Sequence, residues 1–181
     1  QVVRRNSGGG AVYHDLGNLN FSVIQSADRT GGFEDFAAPV IRCLRGLGVE
    51  AEFNGRNDIL VDGRKFSGNA QYIHRGRILH HGTILFSSDL QVLTQALNVS
   101  HRKIQSKGIP SVRSRVTNLA PYLQGMTIED FRSKLADEIL SGQNGVCYSI
   151  TDTDVAVTME IARVKYETHA WNYGEKRVWD R

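Results

Sequence analysis

Three consecutive glycines at positions 8–10 follow Arg4 and Arg5 near the start of the chain. Because glycine has no side chain to shield its backbone, the N–H groups of such a loop can wrap a phosphate or a carboxylate. Arg5 would add a planar guanidinium that binds an anion through two parallel hydrogen bonds. The loop lacks the Gly-Lys-Ser/Thr of a Walker motif, and a strand rather than a helix follows it, which excludes the Rossmann pattern. A flexible turn between two strands is the alternative.

A second candidate site combines residues 55–59 with residues 65–70. Alternation along a strand would place Lys65 and Ser67 on the same side, facing a shared pocket. A buried lysine that faces an acyl phosphate would stabilise the negative charge that develops there. A surface hairpin is the alternative, because the Asp-Gly pair at 62–63 is a good hairpin turn.

Two further motifs are the adjacent histidines His80 and His81 and the alternating arginines Arg113 and Arg115. Neighbouring strand residues point to opposite faces, so the two histidines cannot chelate one metal ion, and the Cys/His spacing of a zinc site is absent. We expect one histidine to pack in a polar cavity. The two arginines could close over a phosphate, with a solvated basic loop as the alternative.

The elements that would position these residues predict an α+β fold, a mixed or antiparallel sheet with flanking helices. Strands are predicted over residues 20–24, 49–53, 59–61, 65–73, 78–86 and 146–150. Helices are predicted over 33–47, over 89–97 with Ser88 as its cap, from Thr127 onward, and over 154–166. The polar stretch 100–118 reads as a long loop. Residues 1–5 read as the end of a strand inside a core.

Length and composition limit the function classes. The chain has 181 residues with 40% apolar and 23% charged side chains, which suits one globular domain. A net charge of +3 is too small to indicate a nucleic-acid partner, and no apolar run could span a bilayer. Cys43 and Cys147 cannot build a disulfide framework and lack a nucleophile's neighbours, so we expect both to be buried, in a cytoplasmic protein.

Taken together, these segments resemble the lipoate–protein ligase A family of the lipoyl and biotinyl ligase superfamily. The first match is RRNSGGGAVYHDLGNLNFS at residues 4–22. The others follow in the family's order, at residues 55–59, 65–70, 80–83 and 111–118, and residues 171–174 resemble its aromatic-glycine segment. The resemblance implies the α+β catalytic domain shared by biotin ligases and class II aminoacyl-tRNA synthetases.

The resemblance also implies a two-step reaction with ATP, Mg²⁺ and lipoate. Lipoate and ATP would give lipoyl-adenylate and pyrophosphate, and a lysine amine of a lipoyl domain would then displace AMP. Lys65 would be catalytic, bridging the acyl carbonyl and the α-phosphate. The implied ATP and adenylate contacts are Arg5, Ser7, Gly10, Ala11, Val12, Tyr13, Asn57, Asp58, Lys65, Arg113 and Arg115. The implied lipoate contacts are Asn18, Lys65, Gly68, Ala70 and His81, and Asp58 is the implied ligand of Mg²⁺.

The implied partners are lipoyl domains of 2-oxoacid dehydrogenase E2 subunits and the glycine cleavage H protein. We expect residues 1–181 to be a partial catalytic domain that lacks upstream strands and a C-terminal accessory domain, which in the family lies on the same or a separate chain. One alternative is a lipoyl or octanoyl transferase that uses a preformed acyl-AMP or an acyl carrier. Another is a nucleic-acid binder, which would need a stronger basic stripe and more than 8% aromatic residues.

Overall fold

The computed structural model describes residues 1–28, 32–97, 116–141 and 145–174. It divides into two compact units, a larger one over residues 7–143 and a smaller one formed by residues 1–6 and 144–181. The larger unit contains the sheet and the buried core, and the smaller unit contains helical turns and extended segments.

Five strands form one sheet in the larger unit: β1 (Asn18–Ser26), β2 (Ala51–Phe53), β3 (Asp58–Val61), β4 (Arg64–His74) and β5 (Arg77–Leu85). Neighbouring strands are antiparallel, in the order β1-β5-β4-β3-β2. Asp62-Gly63 and Arg75-Gly76 connect β3 to β4 and β4 to β5, and all four residues have positive φ, as a type I′ hairpin turn requires. The predicted strands between residues 20 and 86 are therefore confirmed.

Three helices complete the larger unit: α1 (Phe33–Gly46), α2 (Leu90–Ala96) and α3 (Ile128–Leu140). Apolar residues at three- and four-residue spacing bury one face of α1, and Phe131 and Leu135 of α3 join the same core. All three helices were predicted, but Ser88 does not cap α2. The Asp89 carboxylate accepts the N–H groups of the first turn instead, because the helix begins one residue later than expected.

A β-bulge in β4 changes which side chains share a face of the sheet. Consecutive residues of β3 pair with Lys65 and with Ser67, so Phe66 is the extra residue between them. Phe66 and Ser67 are both buried, whereas the Lys65 ammonium lies beside Gly68, where an added Cβ would be 2.8 Å from Nζ. The prediction that Lys65 and Ser67 face the same side is wrong, because the bulge interrupts the alternation.

The smaller unit contains α4 (Asp152–Ile161), a π-helical turn (Ala162–Tyr166) and α5 (His169–Tyr173). The helix predicted over 154–166 is confirmed as α4 and the turn that follows it. The strand predicted over 146–150 is wrong. Val146 is 92% exposed, and this alternating segment has no neighbouring strand to pair with in the part of the chain that the structure describes. Sheet pairing, not alternation alone, makes a strand.

Two expectations about burial are corrected in the same unit. Cys147 is exposed rather than buried, because it lies in the unpaired segment, whereas Cys43 on α1 is buried as predicted. Residues 1–5 are not a strand within a core, since Val2 and Val3 are both exposed and no ladder is formed there. The antiparallel sheet with its helices confirms the α+β class. None of the described helices combines the length and apolar character needed to cross a membrane.

Candidate functional site

One face of the sheet brings together several residues predicted for the site. Asp58 pairs with Gly68 across β3 and β4, and Ala70 pairs with His81 across β4 and β5. Directly opposed residues, and residues two apart on one strand, present their side chains on the same face. These four positions therefore belong to one surface, called the site face below. The next residues along the strands, among them His80, point toward α1.

Lys65 lies on the site face as half of an ion pair. Its Nζ atom is 2.6 Å from Oδ1 of Asp58, and the two side chains are 36% and 15% exposed. Gly68 has no side chain to fill the space that the ammonium occupies. The pairing keeps Lys65 extended over the strands while leaving one third of its side chain open to an incoming anion. Both residues were predicted for this site, and the structure brings them into contact.

Ser7 and His81 form a second contact on the site face. The Ser7 hydroxyl is 2.6 Å from Nε2 of His81, and Ser7 is buried although the loop that follows it is exposed. Ser7 was predicted on the nucleotide side and His81 beside the lipoyl channel. The hydrogen bond therefore joins the start of the glycine loop to the centre of β5.

Asn57 is tied to β4 by its own side chain. Its Nδ2 group donates to the Asn69 carbonyl at 3.0 Å, while the Asn69 backbone N–H and Nδ2 donate to the Asn57 carbonyl at 2.9 and 3.1 Å. Three hydrogen bonds therefore clamp the turn before β3 onto β4. Asn57 was predicted as an adenylate contact, which stays a prediction, and the structure shows that its amide nitrogen holds the turn that carries Asp58.

The turn between the glycine loop and β1 is built around Asp15. Its carboxylate accepts the N–H groups of Gly17 at 2.9 Å and Asp89 at 2.8 Å. Burial opposes ionisation of Asp15, yet the hydrogen bonds that its carboxylate accepts hold its pKa below the ordinary value. The Ser88 hydroxyl donates to Oδ1 of Asn18 at 2.6 Å. Asp15 thus joins this turn to the start of α2.

Asn18, predicted to contact lipoate, opens β1 opposite Leu85, which places it on the site face by alternation. Its Nδ2 group is buried and has no hydrogen-bond partner among the described residues. A buried donor without a partner is unfavourable in the free protein, so this amide is suited to a ligand acceptor.

The glycine loop itself is open. An added Cβ at Gly8 or Gly10 would meet no atom within 4 Å, and Ala11 and Val12 are exposed. Tyr13 is half-buried, and burial, followed by the carboxylates of Asp15 and Asp89, raises its pKa, which keeps the hydroxyl protonated. The predicted adenylate contacts of this loop therefore stand where a ligand can reach them.

The remaining predicted residues are placed differently. Arg113 and Arg115 lie outside the described residues, and Arg5 belongs to the smaller unit. The described residues that follow the two arginines begin at Val116, which forms a bridge with Lys65. The Thr117 N–H donates to the Lys65 carbonyl at 2.9 Å. The described segment that begins at Val116 is therefore attached directly to the backbone of the predicted catalytic lysine.

No group of three His, Cys, Asp or Glu side chains that could hold a metal ion occurs in ranges 1–28, 32–97, 116–141 and 145–174. The predicted Mg²⁺ ligand, Asp58, is instead paired with Lys65. Mg²⁺ commonly takes only one or two carboxylates and completes its shell with water and phosphate oxygens. A single carboxylate at this position is compatible with that coordination.

Sequence reasoning assigned no role to Arg4. In the smaller unit its backbone N–H donates to Oδ1 of Asn172 at 2.8 Å, its Nε donates to the Trp171 carbonyl at 2.9 Å, and the Trp171 indole N–H donates to the Arg4 carbonyl at 2.8 Å. The first of the two arginines is thus a structural residue that holds the chain start against the aromatic-glycine segment. The only sign of this contact in the sequence is that the segments at residues 4–22 and 171–174 both resemble motifs of the same family.

Comparison with known proteins gives a consistent result. Residues 1–140 match the family model of the lipoyl protein ligase A/B catalytic domain. A lipoate-protein ligase of Bacillus subtilis is 51% identical over 179 residues, covering 96% of this chain and 54% of the relative. A second, from Staphylococcus aureus, is 46% identical over 176 residues with the same coverage of 96% and 54%. The chain spans about half the length of the curated relatives it matches.

Solved structures show the same likeness. A bipartite lipoate protein ligase of Thermoplasma acidophilum superposes with a TM-score of 0.82 at 33% identity, covering 98% of this chain and 72% of that one. A lipoate-protein ligase A bound with ATP gives 0.80 at 32% identity, covering 96% and 72%. A putative lipoate ligase of Thermoplasma acidophilum with bound lipoic acid gives 0.76 at 29% identity, covering 96% and 72%. By sequence and by fold, this chain belongs to the lipoyl protein ligase A/B catalytic-domain family.

Proposed function

We propose that the protein containing this chain is a lipoate–protein ligase that activates lipoate with ATP and transfers the lipoyl group to a lysine of a lipoyl domain. One observation carries the proposal: the Lys65 side chain, one third exposed and with Nζ 2.6 Å from Asp58, lies on the same face of the sheet as Ala70 and His81. Relatives named lipoate-protein ligase, and neighbours bound to ATP or to lipoic acid, support the same substrates.

The chemistry needs positioning and charge neutralisation rather than a protein nucleophile. The lipoate carboxylate attacks the α-phosphorus of ATP, a new O–P bond forms, and pyrophosphate leaves with the electrons of the broken P–O bond. Lys65 would offset the negative charge on the α-phosphate and on the acyl carbonyl oxygen. An anion that displaces Asp58 from Lys65 would exchange one ion pair for another, so the ammonium is already directed at the site before substrate binds.

In the second step, the amine of the acceptor lysine attacks the acyl carbonyl, an amide bond forms, and AMP leaves with the bridging oxygen. The exposed glycine loop would supply N–H groups to the nucleotide, with Ser7 held in place by His81. The unpartnered Nδ2 group of Asn18 would donate to the acyl substrate. Bound Mg²⁺ would screen phosphate charge, and Asp58 is the residue we propose to hold it.

The acceptors in this proposal are lipoyl domains of 2-oxoacid dehydrogenase E2 subunits and the glycine cleavage H protein. A neighbour was solved as part of a lipoylation system with its E2 lipoyl domain, and that neighbour is bipartite, which supports an accessory domain or chain here. A cytoplasmic location is part of the same proposal. It is supported by the two free thiols, Cys43 and Cys147.

Lipoate-dependent exchange between ATP and pyrophosphate tests the first step in the full-length protein. We expect exchange in the wild type and its loss in Lys65→Ala, because the substitution removes the ammonium proposed to offset the charge on the α-phosphate and the acyl oxygen. Lys134→Ala, which removes an exposed lysine of α3, is the matched control and should leave exchange unchanged. Circular dichroism would verify that all three proteins are folded.

Two outcomes would contradict the proposal. Normal exchange in Lys65→Ala would remove the role assigned to that residue. A wild type that lacks exchange, yet transfers the lipoyl group from supplied lipoyl-AMP, would instead establish the transferase alternative.

A further inference from the structure

His80 is a buried polar residue that the proposed mechanism does not use. It is fully buried on the face of β5 opposite the site face, where its ring stacks on Phe36 with centroids 4.2 Å apart and planes 11° apart. Phe33 and Phe21 approach the same ring at 5.5 and 6.2 Å. A polar ring enclosed by three aromatic side chains needs hydrogen-bond partners for both of its nitrogens.

The partners of His80 determine which nitrogen carries the proton. The Gln71 amide nitrogen lies 3.3 Å from Nδ1, and an amide nitrogen can only donate, so Nδ1 is the acceptor. Nε2 therefore carries the hydrogen and donates to Oδ1 of Asn69 at 3.2 Å. The reverse orientation of Asn69 would aim its oxygen at the Asn57 carbonyl, another acceptor, which excludes it. All of these hydrogen bonds are consistent with the Nε2–H tautomer of His80.

The chain of hydrogen bonds continues from His80 to the site face. With its oxygen engaged by His80, the Asn69 amide directs its Nδ2 group to the Asn57 carbonyl at 3.1 Å and to the Ser67 hydroxyl at 3.4 Å. The amide has little freedom, because a Cβ at Gly82 would lie 2.4 Å from Asn69 Oδ1. Asn57 is followed directly by Asp58, the partner of Lys65.

We propose that His80 is a positioning residue for the reaction: as the Nε2–H tautomer it orients Asn69, which clamps the Asn57 turn and thereby holds Asp58 and Lys65 in place. The role of Lys65 in this inference rests on the proposed function, whereas the clamp itself does not. A small displacement of a positioned catalytic group lowers rates by as much as about 100-fold. His80 thus contributes from the far side of the sheet without touching a substrate.

Three substitutions in the full-length ligase separate hydrogen bonding from packing. His80→Phe keeps the aromatic ring and removes both hydrogen bonds. His80→Gln places an amide N–H near the position of Nε2 and restores the donor to Asn69, whereas His80→Asn reaches only the position of Nδ1. Phe36→Leu is the matched control, because it weakens the ring packing and leaves the hydrogen bonds intact.

Two readouts apply to each variant, at temperatures where it is fully folded. For pyrophosphate exchange, we expect kcat/KM to fall by about ten- to 100-fold in His80→Phe and His80→Asn, mainly through kcat, and to stay within about threefold of wild type in His80→Gln and Phe36→Leu. For hydrogen exchange of the Asn69 backbone N–H, which donates to Asn57, we expect faster exchange in the same two variants.

Equal activity of His80→Gln and His80→Asn, or wild-type kcat/KM in folded His80→Phe, would overturn the inference. Unchanged protection of the Asn69 N–H in His80→Phe would overturn the clamp on its own. If the wild type itself lacks lipoate-dependent exchange, the proposed function fails, and Asn69 protection alone decides whether His80 holds the Asn57 turn.

Discussion

Every buried apolar side chain among the described residues belongs to the larger unit, and no described residue of the smaller unit is buried. The larger unit packs α1 and α3 over one face of its sheet around residues such as Phe66 and Phe131. The smaller unit relies on side chains that bond to the backbone, as Arg4 does with Trp171. Burial of apolar area is the dominant favourable term in folding, whereas each exposed hydrogen bond contributes little net free energy. The larger unit therefore supplies the global stability.

The largest predicted effect on stability is that of a cavity in the core, and it tests the difference between the two units. Phe131→Ala should lower the free energy of unfolding by about 3–5 kcal/mol, because the ring is fully buried between helix and sheet. Val157→Ala in α4 truncates a side chain that is 54% exposed and should change the free energy of unfolding by less than about 0.5 kcal/mol. Urea unfolding followed by circular dichroism measures both. Similar losses in the two variants would show that the smaller unit has a core of its own.

Acidification should also act mainly on the larger unit. Burial, and then the neighbouring His81, lowers the pKa of His80 to about 4, below the usual value of 6.5. Between these values the unfolded chain binds more protons than the folded one, so stability falls as the pH drops from 6.5 toward 4. The loss attributable to this residue amounts to at most about 3 kcal/mol.

Unfolding free energies measured from pH 7 to pH 4 test this linkage. His80→Gln should flatten the dependence on pH relative to the wild type. A slope that survives in His80→Gln would assign the acid sensitivity to other groups.

A smaller effect on stability is expected in the smaller unit, where Trp171 is hydrogen-bonded to Arg4. Trp171→Phe keeps an aromatic ring but removes the indole N–H that donates to the Arg4 carbonyl at 2.8 Å. Losing this hydrogen bond should lower the local stability by about 0.5–1.5 kcal/mol and leave the global stability unchanged. Trypsin should therefore cleave after Arg4 and Arg5 faster, while the melting temperature stays the same. Tyr148→Phe removes a hydroxyl bonded to Asp154 in the same unit and is the control. An unchanged cleavage rate in Trp171→Phe would contradict this view of the unit.

The same contrast explains what the sequence could and could not predict. Alternation and turn residues sufficed for the strands, and motif order sufficed to place Lys65, Gly68 and His81 on one sheet. The bulge at Phe66 escaped prediction, because it depends on how β4 pairs with β3 and not on the residues of β4 alone. For residues 146–150 the alternating pattern was present, but a strand also needs a neighbouring strand to pair with.

Contacts between residues distant in the chain were equally out of reach. The hydrogen bond of His80 to Asn69 spans β4 and β5, and the contacts of Arg4 reach Trp171, 167 residues away. Residue types alone signal that such side chains need partners, not which partners they find. Motif resemblance therefore named the residues that we propose to react, while the contacts that hold Asp58 and Asn57 in place required the tertiary structure.

Two capping boxes of the same chemistry give the finest test of the difference between the units. The Thr127 hydroxyl accepts the Asp130 N–H at 3.1 Å at the start of α3, and the Thr151 hydroxyl accepts the Asp154 N–H at 3.2 Å at the start of α4. Loss of such a cap weakens a helix by about 1 kcal/mol. Because α3 is packed into the core, Thr127→Ala should lower the global free energy of unfolding by that amount.

Thr151→Ala should leave the global value unchanged and raise only the hydrogen exchange of the first turn of α4, because this helix unfolds locally before the core does. Thr127→Ser and Thr151→Ser keep the hydroxyl and should behave like the wild type. Equal global losses for the two alanine variants would mean that α4 unfolds together with the sheet. The two units would then form one cooperative structure, and the contrast in burial would not extend to their stability.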